Sequence, residues 1–263
     1  FRSPSLNLGK VRNKGFEMSV THRNQIGDFS YSISANIATN HNEITDLAGS
    51  DNMIQNAGDN IRWILKEGES IGSFYGLKTD GLYTQEEIDA GRYYIYGRAP
   101  QAGDIKYVPQ REGVKYVCDL AKGESTANAS ITDDDRTIIG KDVPDFTYGI
   151  NLGLNYKNLD FQLTTYGQAG AQMFNRKRAL RYSSQNYNFD RAQYENRWTG
   201  PGSTNSNPSA AALLKPWNVS DQKYSSYFVE SADYFRIQNI TLGYTFRNVK
   251  FGNYTMPGLR LSL

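Results

Sequence analysis

The chain has 263 residues, with 29 Lys and Arg against 27 Asp and Glu, and its formal net charge of +2 is spread without a basic face. That balance excludes a nucleic-acid-binding reading. One cysteine, Cys118, and two histidines, His22 and His41, exclude an internal disulfide and a Cys/His zinc site.

Only 38% of the residues are hydrophobic and mean hydropathy is −0.63, yet the chain carries 19 Tyr, 12 Phe and 24 Gly. Aromatics and glycine favour strands and turns over helices. No stretch approaches the roughly 18 apolar residues of a membrane helix, and Phe1 opens on neither the charged nor the apolar region of a signal peptide. Low hydropathy is compatible with a membrane barrel, whose strands alternate and give no long apolar run.

The first predicted element alternates Phe16, Met18 and Val20 with Glu17, Ser19 and Thr21. A turn is expected at Asn24 to Gly27, followed by a strand from Asp28 to Asn40. In it Phe29, Tyr31, Ile33, Ala35 and Ile37 oppose Ser30, Ser32, Ser34 and Asn36, so one face is apolar and the other wet. A long polar region, about residues 43–144, comes next. Segments 61–67 and 71–83 could add two further crossings, or none.

Alternation returns with Tyr148, Ile150, Leu152, Leu154 and Tyr156 against Gly149, Asn151, Gly153 and Asn155. Lys157 and Asn158 allow a tight turn into Leu159, Phe161, Leu163 and Thr165, a predicted hairpin. A second long polar region covers about residues 171–230. Beyond it Phe235 and Ile237 occupy odd positions, whereas Ile240, Leu242, Tyr244 and Phe246 are even, which predicts a bulge near Gln238 and Asn239. A turn is expected at Asn248 to Gly258, and the last run, Leu259, Leu261 and Leu263, is shorter than the about nine to eleven residues of a membrane strand. The chain is therefore expected to stop inside a strand.

The connections are unequal, short at one end of the strands and long at the other. Outer-membrane barrels pair short periplasmic turns with long extracellular loops. The tyrosine clusters of the long regions, Tyr93, Tyr94 and Tyr96, then Tyr224 and Tyr227, predict folded loops, buried in an assembly or offering a contact surface. Tyr93, Tyr94, Tyr96, Trp198 and Trp217 are the candidate residues of that contact surface.

Other motifs carry less. Gly68-Glu69-Ser70-Ile71-Gly72 matches a nucleophile elbow, but no helical pattern follows and both histidines precede Ser70. Asp133, Asp134 and Asp135 lack the alternation and glycine of a calcium loop, so a solvated acidic turn is expected. Glu86, Glu87 and Asp89 read as the start of a helical turn. No catalytic residue, cofactor site or metal site is expected.

Several segments taken together resemble the SusC/RagA-type TonB-linked outer-membrane proteins. They are Asn13 to Glu17; Glu67 to Gly76 running into Thr79 to Tyr83; Gly103 to Tyr107; Asp134 to Gly140; Pro144 to Gly149 with Tyr156 to Phe161; and Tyr234 to Thr245. In place of the Asp/Asn/Gly-rich stretch frequent in the family stands Pro109 to Ile131.

The resemblance implies an all-β fold, part of a transmembrane antiparallel β-barrel of about 22 strands in the family, with long extracellular loops. Residues 1–263 would be its C-terminal portion, without the N-terminal plug or the final strands. It implies import of oligosaccharides or peptides across the outer membrane of a Gram-negative bacterium. The partners it implies are a SusD-like surface lipoprotein, outer-membrane lipid and the TonB complex, the last reached through the N-terminal region. The alternative kept open is a soluble secreted β-sandwich binding carbohydrate, with Trp63, Trp198 or Trp217 as stacking platforms.

Overall fold

The computed structural model describes residues 9–56, 62–90, 94–113, 130–182, 188, 190–203, 207–209 and 224–263. In chain order the strands are β1 (Lys10–Ile26), β2 (Phe29–Asp46), β3 (Asn52–Asn56), β4 (Arg62–Lys66), β5 (Ser73–Leu77), β6 (Thr79–Leu82), β7 (Tyr94–Ile95) and β8 (Ile105–Tyr107). They continue as β9 (Ser130–Ile131), β10 (Arg136–Lys141), β11 (Phe146–Tyr156), β12 (Leu159–Ala169), β13 (Gln172–Phe174), β14 (Val229–Ser231), β15 (Tyr234–Phe251) and β16 (Tyr254–Ser262). The described residues also form the short α-helices α1 (Gln85–Ala90), α2 (Arg176–Tyr182) and α3 (Arg191–Glu195). The chain divides into two compact units.

One unit, residues 11–43, 143–171 and 231–263, is built on a six-stranded sheet in the order β1-β2-β11-β12-β15-β16. Period-2 alternation explains its two faces. The antiparallel registers set Ile33, Leu152, Leu163 and Ile240 in one row across four strands, and Ser34, Asn151, Thr164 and Asn239 in the next row. Directly opposed residues share a face, so the first row is apolar and the second polar.

Every β-hairpin of this sheet closes in a two-residue turn whose first residue has positive φ: Gly27 at 62°, Lys157 at 54° and Gly252 at 58°. Two of these turns differ from the expectation. The first lies at Gly27–Asp28, not Asn24 to Gly27, and the last at Gly252–Asn253, inside the segment Asn248 to Gly258. The strands continue into polar sequence because backbone pairing needs no apolar side chain, and Pro257, which has no N–H to donate, sits on the edge strand β16. The predicted bulge is present: Thr164 opposes Asn239 and Thr165 opposes Ile237, which leaves Gln238 as the extra residue.

The other unit, Ile44–Asp142 and Gln172–Glu230 with the segment up to Lys10, has its own cores. Leu77, Leu82, Tyr83, Ile95, Ile105, Tyr107 and Ile131 form one, each at most 3% exposed. Phe74, Phe174, Ala179 and Phe228 form a second. Around them lie a four-stranded sheet, β10-β5-β4-β3, and three two-stranded pairs, β13-β14, β6-β8 and β7-β9. Segments 61–67 and 71–83 thus supply strands of this unit and no crossing of the six-stranded sheet.

Candidate functional site

On the six-stranded sheet the apolar face is uncovered. Ile150, Leu159, Ile240, Leu242 and Leu261 are between 43% and 57% exposed. A sandwich requires such a face to be buried against a second sheet, which argues against the soluble alternative. Aromatics mark both ends of the apolar band: Phe146, Tyr148 and Phe235 at one end, Phe29, Tyr156, Tyr244 and Phe246 at the other. Tyr148 and Tyr156 are about 27 Å apart along β11 at about 3.4 Å per residue. Thr165, the polar residue set opposite Ile150, is satisfied locally, its hydroxyl donating to Ile150 O at 2.9 Å and accepting from Ile150 N at 3.1 Å.

Glycines let side chains reach across an intervening strand. On the apolar face Tyr148 of β11 lies over Gly167 of β12 and stacks on Phe235 of β15, with ring centroids 6.3 Å apart and planes 9° from parallel; a Cβ on Gly167 would collide with the Tyr148 ring. On the polar face Arg260 of β16 passes over Gly243 of β15 to Asp160 of β12, donating from Nε at 3.0 Å and from Nη2 at 2.5 Å. Elsewhere that face is lined by hydroxyls and amides, such as Thr21 and Ser34, whose oxygens are 2.9 Å apart. It is hydrophilic, and its strongest ion pair is internally matched.

In the other unit a cavity of about 550 Å³ is lined by Tyr83, Thr84, Gln85, Glu86, Trp198, Pro201, Gly202 and Ser203. Thr84 immediately precedes α1 and exchanges bonds with Glu87: Thr84 N–H donates to the Glu87 carboxylate at 2.9 Å, and Glu87 N–H to the Thr84 hydroxyl at 3.2 Å. This capping box orders the rim. Lys106 donates to Glu87 at 2.9 Å. Burial pushes the Glu87 carboxyl up, but the Thr84 N–H and Lys106 outweigh it and hold the group below the usual range.

Trp198 is fastened twice, its N–H donating to Asn207 O at 2.8 Å and its indole packed on Gly103. Gly103 has φ of +84°, and a Cβ there would run into the indole, so both the turn and the close approach require glycine. Gly103 N–H in turn donates to Tyr83 O at 2.8 Å.

Of the predicted contact residues, Tyr93 and Trp217 lie outside the described residues, as does Cys118. Tyr94 is half-buried in β7. Tyr96 has φ of +48° and donates its hydroxyl to Asp133 at 2.5 Å while packing against the first core. Trp198 packs against the same core and also lines the cavity. Trp63 packs on the Phe74 core. Glu86 and Ser203 escaped sequence reasoning as cavity residues; only folding brings them beside Trp198.

In the acidic turn Asp133 and Asp134 are exposed as expected, and Asp135 is a correction. Asp135 is fully buried, not solvated: it accepts from Thr132 N–H at 2.9 Å, Gln110 N–H at 3.1 Å, Arg111 N–H at 3.2 Å and the Arg111 guanidinium at 2.8 Å. Four donors offset its desolvation. Burial raises the carboxyl, and Arg111 with those N–H groups overcomes that and holds it below the ordinary range. Ser70 precedes a strand, β5, and its hydroxyl donates to Ile71 O at 3.0 Å, which is not the strand-turn-helix of a nucleophile elbow.

Against known proteins, no family model matches the chain. TonB-dependent receptor P3 of Formosa agariphila is 31% identical over 261 residues, which is 97% of this chain and 24% of that protein. TonB-dependent receptor SusC of Bacteroides thetaiotaomicron is 27% identical over 249 residues, 92% of this chain and 21% of that protein. The RagAB peptide transporter superposes at a TM-score of 0.70 with 21% identity, over 100% of this chain and 27% of that one. Over nearly its whole length the chain is similar to one segment of TonB-dependent receptors, SusC among them. It spans about a quarter of the length of the curated relatives it matches, and the solved structure shares its fold. These relatives carry the names of receptors.

Proposed function

We propose that this chain forms part of the wall and surface loops of an outer-membrane TonB-dependent importer. The observation that carries the reading is the six-stranded sheet with an uncovered apolar face, aromatic at both ends, backed by a hydrophilic face. A strand wall of that kind belongs in a closed barrel of about 22 strands: the apolar face meets lipid, the polar face lines the lumen, and the two-residue turns lie in the periplasm. The unit of residues 44–142 and 172–230 then stands outside the cell and meets substrate and a SusD-like lipoprotein. Oligosaccharides or peptides are the substrate classes, and coupling to TonB runs through the N-terminal portion of the receptor.

Trypsin applied to intact cells tests the topology. Cleavage is expected at Lys and Arg residues within 44–142 and 172–230, with Lys157 in its two-residue turn spared until the outer membrane is opened. Cutting at Lys157 in intact cells, with the two long regions untouched, would overturn the orientation.

A further inference from the structure

We propose that the end of the β1–β2 hairpin away from its turn binds a phosphorylated lipid headgroup, held by Lys14 and Arg12 while the acyl chains lie along Phe16, Met18 and Val20. The proposal rests on the import reading, which puts this end of the six-stranded sheet at the outer leaflet. It gives one patch of the lipid-facing wall a ligand chemistry of its own.

Strand register builds the patch. Side-chain bonds from Asn42 to Asn13 at 2.7 Å and between Thr21 and Ser34 at 2.9 Å set β1 against β2 so that Lys14 lies opposite His41 and Arg12 opposite Glu43. Residues two apart on a strand share a face, so Val20, Met18, Phe16, Lys14 and Arg12 follow one another in a single line, apolar side chains first and cations after them. Val20, Met18 and Phe16 are 56%, 50% and 61% exposed. A bare apolar strip that ends in positive charge is the complement of an anionic lipid, acyl chain against the strip and headgroup against the cations.

These charges are not used up within the protein. Arg12 donates from Nη2 to Glu43 at 2.6 Å, which engages one N–H of a guanidinium that has several more. Lys14 is exposed and, among the described residues, has no carboxylate within ion-pair distance. Arg12, Lys14 and His41 all lie close enough to Glu43 for their charges to act on it, so Lys14 and Arg12 outnumber the carboxylate between them. Further out on β1, Lys10 is matched by Asp46 at 2.8 Å and adds no net charge. A phosphate suits what remains, because it accepts charge-assisted bonds from a guanidinium and an ammonium at once, and cations at a membrane surface favour anionic lipids. An uncharged headgroup gains neither.

The test is native mass spectrometry of the full-length receptor in detergent, loaded either with a bisphosphorylated lipid A or with the same lipid A stripped of its phosphates. The phosphorylated lipid is expected to be held at least roughly tenfold more tightly, and the double variant Lys14→Gln with Arg12→Gln to abolish that preference. Lys14→Gln alone, which leaves the Arg12–Glu43 pair in place, is expected to reduce it at least roughly threefold, and Lys14→Arg, which keeps the charge, to preserve it. Equal retention of the two lipids, or a preference that both Gln variants leave intact, overturns the site. Displacement of the lipid by an equal concentration of inorganic phosphate overturns the lipid assignment in favour of a free anion. Binding in detergent does not depend on orientation, whereas import is read by the trypsin topology above, so each can fail without the other.

Discussion

The two units solve the hydrophobic problem in opposite ways. The unit of residues 44–142 and 172–230 hides its apolar side chains, with Leu77, Tyr83 and Ile131 at 0% exposure. The six-stranded sheet displays its own, with Ile240 at 56% and Leu242 at 53%. The first behaves as a small globular domain whose partner solvent is water. The second makes sense only against an apolar solvent, since burying a side chain of that kind contributes about 1.5–3 kcal/mol that the sheet forgoes in water. The lesson is that a single polar-looking chain can be written in two codes, and mean hydropathy averages them away.

The comparison breaks most readily at Asp135. Its substitution by Asn is expected to cost about 3 kcal/mol, the lower end of the range for breaking a buried pair because the Arg111 side chain is 33% exposed. Hydrogen exchange would read this as a loss of protection of roughly 100-fold across residues 130–141, with the six-stranded sheet unaffected. The same carboxyl sets a pH limit. Its folded-state pKa lies below the ordinary 3.8, so its contribution is complete above that value and is lost as pH falls through the depressed one. Protection of this segment should therefore survive at pH 5 and fail only below about 3.8.

Next in size is the apolar face. Leu152→Arg, in the middle of β11, is expected to cost about 2–4 kcal/mol when the receptor is unfolded by urea from lipid vesicles. Asn151→Arg, one residue away on the polar face, should cost little. Equal costs would refute the assignment of the two faces. A further effect is expected at Gly167, where a valine would displace Tyr148 from Phe235 and press on the Tyr234 carbonyl of β15. About 1 kcal/mol of aromatic contact is at stake. Gly153→Ala is the comparison, because a Cβ there meets nothing nearer than Ser32 O at 4.0 Å.

Much of the sheet was legible from residues alone, because register and face follow from period 2. The hairpin at Lys157 and Asn158 and the bulge at Gln238 both came from phase, and a phase break has few other causes. Strand ends were less legible. Residues such as Asn40 to Glu43 are paired but polar, and beyond the apolar band alternation has nothing to report. The globular unit was hardest. Asp135 reads as one of three exposed acids until Arg111, 24 residues earlier, is folded onto it. Gly103 and Trp198 are meaningful only as a pair, and such long-range partners leave no local pattern.

The smallest expected effect sharpens the comparison furthest. Asp160 and Arg260 form a two-pronged ion pair like that of a protein interior, yet they sit on the polar face with side chains 18% and 45% exposed. If that face lines an aqueous lumen, salt should screen the pair. A double-mutant cycle of Asp160→Asn and Arg260→Gln, read as hydrogen-exchange protection of β16, should show coupling in dilute buffer that fades toward about 1 M salt, where the screening length is about 3 Å. Asp135 and Arg111 should hold their coupling across the same range, since the carboxylate is fully buried and solvent ions cannot approach it. Equal persistence of both pairs would mean that the polar face is dry, and the lumen reading would fail with it.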